Sequence, residues 1–119
     1  MTVYRLENGV SDAAFRQRLD GSGKLLVVCT EDAERARGHL PGGWQFYVLN
    51  KTSERWAPLH LFRVINGETK PRLFKTVDGV CGYFMSLGLP AALVPVREGD
   101  GYEIDMDGTA TFRPGVILD

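Results

Sequence analysis

Four side chains in this sequence could serve as soft or borderline metal ligands or as a nucleophile and base: Cys29, Cys81, His39 and His60. None sits at a zinc-binding spacing such as C-x-x-C or H-x-x-x-H, which a tetrahedral site built on one element needs. A Cys–His pair would need an exposed thiol held as thiolate. Cys81 falls instead on an apolar stripe of a predicted helix, and Cys29 ends an apolar strand. A thiol in either setting behaves as a small hydrophobe with a raised pKa. With no framework of four or six cysteines, a reduced interior is the expected setting, although the spacing leaves a Cys29–Cys81 disulfide open.

Two other segments imitate known chemistry. Gly21-Ser-Gly-Lys24 resembles the end of a phosphate-binding loop, but Leu25 stands where the hydroxyl belongs, and the order is helix, loop, strand. No helix start would aim its amides at a phosphate. Glu103-x-Asp105-x-Asp107-Gly108 imitates the first half of a calcium loop, yet Pro114 occupies the position of the closing bidentate Glu. A hairpin with Tyr102, Ile104 and Met106 inward and Glu103 and Asp105 solvated accounts for the same pattern. No nucleophile elbow or dinucleotide fingerprint occurs, so no cofactor or metal is implied and catalysis is not expected. Scattered catalytic residues would leave no mark in one sequence, so a small enzyme stays as an alternative.

Charge is more informative. The formal total is −1, but residues 51–75 carry Lys51, Arg55, Arg63, Lys70, Arg72 and Lys75 against Glu54 and Glu68, a balance of +4. Residues 98–119 carry six acids against Arg113, a balance of −5. A dipolar chain can present one sign to a partner while staying near neutral overall. The simplest expectation is that the two segments neutralise each other within the fold.

These groups must be positioned by one small domain. At 119 residues the chain is long enough to bury roughly two-thirds of its unfolded surface without staples. Its longest apolar run, Leu25–Cys29, is five residues, far short of the ~20 that span a bilayer. The acid and early glycine at the N-terminus do not suit a secretory signal, and the expected location is the cytoplasm. Thr2–Leu6 reads as a short strand, and Ser11 caps a helix through Leu19. Lys24–Thr30 is a strand apolar on both faces. Thr30 can cap a second helix with Ala33, Ala36 and Leu40 on one stripe, and Trp44–Leu49 is a strand. Leu59–Ile65, the Asn66-Gly67 turn and a run to Lys75 form a hairpin whose second strand Pro71 keeps short or at an edge. Thr76 caps a third helix, lined by Val77, Val80, Cys81 and Phe84 and stopped at Gly88. Leu93–Val96 is a further strand, and Tyr102–Met106 and Thr109–Phe112 make a second hairpin about Asp107-Gly108. The predicted fold is α+β: a single domain over 1–119, a mixed or antiparallel sheet and about three helices, with the acidic hairpin 98–119 as a candidate appendage.

Two surfaces remain for function. Gly79, Gly82 and Ser86 make a small, flat helix face, for which close internal packing is the first expectation. Arg63, Lys70, Arg72 and Lys75, with His60 and Trp56 nearby, make a basic, aromatic-edged hairpin surface suited to an acidic protein or a phosphate backbone. A pI near 6.1 weighs against stand-alone nucleic-acid binding.

The run Leu59-His-Leu-Phe-Arg-Val-Ile-Asn-Gly67, followed by Arg72-Leu-Phe-Lys-Thr-Val-Asp78 and a helix ending Leu87-Gly88-Leu89, resembles the small partition-associated proteins encoded on plasmids, the ParC-like group. The Lys24–Thr30 strand and the acidic, Ala- and Arg-containing helix expected after it are similar to that group as well. The resemblance covers about residues 1–90, and its pattern also occurs in other mobile-element proteins. It implies a non-catalytic accessory role in plasmid maintenance, with partition or DNA-bound proteins as partners and no catalytic residue. The expectation is therefore a non-enzymatic interaction protein acting through protein–protein contacts, with a DNA-binding regulator using hairpin 59–75 as the alternative. A homo-oligomer is compatible with either.

Overall fold

The computed structural model describes residues 2–35 and 40–119, with the backbone alone at 62–65 and 68. Its centre is β2 (Lys24–Glu31), five of whose residues in a row are buried. Period-two alternation sends Leu25, Val27 and Cys29 to one face and Leu26 and Val28 to the other. Both faces of the strand must therefore be covered, as its unbroken apolar run predicts.

The sheet grows outward from this strand. β3 (Pro41–Asn50) and β8 (Gly101–Asp105) flank β2, both antiparallel. β9 (Ala110–Arg113) follows β8, while β4 (Arg55–Pro58) and β7 (Phe74–Thr76) share the far edge of β3, giving six strands in all. Two helices cover one face. In α1 (Asp12–Ser22) the Ser11 hydroxyl accepts from the Ala14 N–H at 3.3 Å, and Gly23, at φ 69°, closes the end by donating to the Leu19 carbonyl. In α2 (Val77–Ser86) the Thr76 hydroxyl accepts from the Gly79 N–H at 3.1 Å. The other face is covered by a parallel pair from the two ends of the sequence, β1 (Thr2–Tyr4) and β10 (Val116–Leu118). A separate ribbon, β5 (His60–Ile65) and β6 (Glu68–Pro71), turns at Asn66 and Gly67 with φ of 51° and 78°. Both positive angles are what the Asn-Gly turn supplies.

The larger core lies under the helices. Phe46 is its hub, with edge-on contacts to Phe74, Tyr83 and Phe84 at ring-centroid distances of 5.1, 4.9 and 5.3 Å. A smaller core of Leu26, Val28, Tyr47, Tyr4 and Trp56 fills the opposite face.

The sequence-based fold needs four corrections. The described residues hold two helices, not about three. The helix expected from Thr30 fails over 30–35, because Glu31 continues the ladder opposite Gly43. The next donors are also taken: Ala33 N–H binds the Val96 carbonyl and Glu34 N–H the Pro41 carbonyl, both at 2.9 Å. Tertiary pairing wins over the local alanine spacing there; Ala36 and His39 lie outside the described residues. Leu93–Val96 is not a strand but a lacing segment, in which the Pro95 carbonyl accepts from Trp44 Nε1 at 2.7 Å. Finally, the run after Gly67 is two strands: β6 stops at Pro71, and β7 crosses to β3. The hairpin at Asp107-Gly108 forms as expected, but β8 is an interior strand, so the acidic segment is woven into the sheet.

Phe46→Ala removes the hub of three aromatic contacts and is expected to cost about 3–5 kcal/mol in denaturant unfolding. Met85→Ala, at a residue 76% exposed, is expected to stay within about 0.5 kcal/mol.

Candidate functional site

An open cleft flanked by cations, about 300 Å³, lies where α1 and α2 meet the entry to β7. Its floor is the small face of α2. Gly79, Gly82 and Ser86 are all exposed, and a methyl group built on Gly82 would meet nothing within 4 Å. That corrects the expectation of close internal packing: the face is left open. The buried stripe of the helix is Val80, Tyr83 and Phe84, while Val77 and Cys81 are only partly covered.

One wall is a closed polar network. Tyr83 donates its hydroxyl proton to Asp12 Oδ1 at 2.8 Å, and Arg16 Nε donates to Asp12 Oδ2 at 2.9 Å. Arg16 also donates to the Ser86 carbonyl at 2.7 Å and to Ser86 Oγ at 3.0 Å. A cation bonded to the last carbonyls of a helix also meets the negative end of its dipole. Burial pushes the Asp12 carboxyl up, but the hydrogen bonds from Arg16 and Tyr83 and the charges of Arg16 and Arg72 outweigh it and hold Asp12 below the usual carboxylate range. Tyr83 is pushed well up by burial and by the Asp12 carboxylate, so its hydroxyl stays a donor.

The other wall is Arg72. Its guanidinium carbon lies 4.5 Å from the Phe74 ring centroid and 5.5 Å from that of Tyr83. Stacking on the two rings orients the planar fork. Among the described residues it forms no ion pair and no side-chain hydrogen bond.

The six residues read as a contact surface end in different places. Lys70, Arg72 and Lys75 are all exposed between the end of β6 and β7. Arg63 lies on β5, with its side chain outside the described residues. His60 is half-buried; its Nδ1 is 2.8 Å from Thr69 Oγ1, and its ring fills the space beside Gly9, where a Cβ would come within 2.1 Å. Burial lowers its pKa. Trp56 leaves the surface altogether: it is 7% exposed and sits edge-on to Tyr4 at 5.3 Å in the smaller core.

Among the described residues, mutual neutralisation of the two charged segments is not found. The described ion pairs of Glu103 are to Lys24 and Arg113, at 3.8 and 3.5 Å. Glu103 also accepts from Tyr4 at 2.9 Å, so it is not the solvated residue expected. None of Lys51, Arg55, Lys70, Arg72 or Lys75 is ion-paired among the described residues. Both cysteines are free; Cys29 is buried, which raises its pKa, and its thiol donates to the Glu31 carbonyl. Among the described residues no group of three or more His, Cys, Asp or Glu is placed to hold a metal ion, and no helix is long and apolar enough to cross a membrane.

Sequence reasoning missed Asp12, Arg16 and Tyr83. Their signals were present but weak: an acid and base four apart on α1, and an aromatic three after Val80. Comparison with protein-family models, curated proteins and solved structures finds no match to this chain.

Two measurements check this geometry. Because Asp12 has a lower pKa folded than unfolded, its contribution is present above the unfolded value near 3.8 and is lost as pH falls through the folded value. Asp12→Asn should therefore flatten the fall in melting temperature below pH 4, and an unchanged acid limb would show that the network contributes nothing. Gly82→Ala, on an open helical face, is expected to raise stability by about 0.5–1 kcal/mol in denaturant unfolding.

Proposed function

We propose that this protein is a cytoplasmic, non-enzymatic accessory protein of a mobile element, supporting plasmid maintenance or partition through protein–protein contacts. The observation that carries the reading is the standing of the basic segment. Its described cations form no ion pairs among the described residues, and Lys70, Arg72 and Lys75 are exposed on a short stretch anchored by Phe74. Charges held outward on a rigid edge steer and orient a partner of opposite sign more than they stabilise the fold. The resemblance of about residues 1–90 to the ParC-like group supports the same role, with partition proteins as partners. Against a catalytic role, the buried Cys29 thiol is bonded to a backbone carbonyl and its pKa is raised, the opposite of an activated nucleophile.

A directly DNA-binding regulator is the second reading, favoured by the same cations. A photo-crosslinking amino acid at Lys75, with one at exposed Thr111 as control, separates the two in cells that naturally carry the gene. Discrete, nuclease-resistant adducts to a second polypeptide from position 75 alone are expected. Adducts that vanish with nuclease, together with oligonucleotide anisotropy that falls steeply with salt, would replace protein contact by nucleic-acid contact.

A further inference from the structure

We infer that the cleft between α1 and α2 seats one side-chain carboxylate from an acidic, extended segment of a partner protein, with Arg72 as the receiving fork and Gly82 as the floor. This deepens the protein-contact reading and rests on it.

The charge count of the cleft selects the ligand. Arg16 and Arg72 contribute two positive charges and Asp12 one negative, a net of +1. A single carboxylate neutralises that. A phosphate monoester, with nearly two negative charges, would leave an excess beside the ionised Asp12. Arg16 is occupied by Asp12 and Ser86, so it serves as fixed positive wall. Arg72 has its five donors uncommitted among the described residues while its plane is fixed by Phe74 and Tyr83. An oriented guanidinium with open donors suits a bidentate carboxylate, and pre-stacking lowers the entropy lost on engagement. The floor adds the second requirement. With no side chain at Gly82 and open space where a Cβ would be, a partner main chain can lie against the helix.

Nucleic acid would make different use of the surface. A duplex backbone is followed by a row of exposed cations and would engage Lys70 and Lys75 as well as Arg72, without needing the open floor at Gly82.

The test uses the full chain and fluorescence anisotropy with three probes: a Gly/Ser peptide carrying two glutamates, the same peptide with glutamines, and a DNA duplex. The glutamate peptide is expected to bind and the glutamine peptide not. Arg72→Ala should weaken binding about tenfold or more, and Arg72→Lys should restore only part, because it returns the charge without the fork. Gly82→Leu should weaken binding comparably by filling the floor, with its melting temperature retained or raised, because a Cβ there meets nothing within 4 Å and leucine favours helix over glycine. Equal binding of the glutamine peptide, or no binding of the acidic one, overturns the assignment. Acidic-peptide binding that survives Arg72→Ala and Gly82→Leu but is lost in Lys70→Glu/Lys75→Glu also overturns the cleft, while leaving protein contact standing. Binding of the duplex alone overturns both.

Discussion

The structure depends on a strand that is dry on both sides. Leu25–Cys29 has no polar face to show water, so every larger feature is a way of covering one side of β2 or the other. On one side the cover is two short, well-capped helices whose buried residues are few but bulky: Phe15, Leu19, Val80, Tyr83 and Phe84. On the other it is a pair of three-residue strands and the rings of Tyr4, Tyr47 and Trp56. Burial of apolar area is the dominant favourable contribution to such a fold, and here it also settles where the polar groups end up. Tyr4 and Tyr47 have their hydroxyl pKa values raised to about 12, Tyr4 by burial and by the Glu103 carboxylate, Tyr47 by burial. Each finds one acceptor at the edge of its core, Glu103 and Gln45.

The cleft is a by-product of the same packing. Phe46 draws Phe74 and Tyr83 together from two elements, and those two rings form the platform beneath Arg72. The aromatic core thus does two jobs with one set of contacts: it joins β7 and α2 to the sheet and sets the plane of the guanidinium above it. Arg16 shares the Tyr83 ring, its guanidinium carbon 5.6 Å from the centroid, and is tied further through Asp12 and Ser86. Tyr83 is thus common to the anchorage of both cations, through its ring and through its hydrogen bond to Asp12.

What could be read in the sequence is what local chemistry decides. Ser11 and Thr76 cap helices because their hydroxyls reach the amide three residues on, and Asn66-Gly67 turns because both residues tolerate positive φ. What could not be read is what distant residues decide. Residues 30–35 have helical spacing but give their amides to 41 and 96. β1, β4, β7 and β10 are three or four residues long, too short for a period to show. The cations were visible in the composition, and Lys70, Arg72 and Lys75 do reach the surface; the cleft was not, because Asp12 and Tyr83 meet from 71 positions apart. Trp56 lies near them in sequence but belongs to a different strand, β4, where it packs into the smaller core.

The parallel pairing of Thr2–Tyr4 with Val116–Leu118 closes nearly the largest loop the chain can make, for the reward of a three-residue ladder. The entropy of that closure rises with loop length while the ladder does not grow to match. The clasp therefore belongs to the low-stability end of the molecule. When it opens, Leu26, Val28 and Tyr47 lose their cover while Phe46 keeps its own. The amides of the clasp strands should then exchange with solvent faster than those of β2, whose ladders on both sides stay closed.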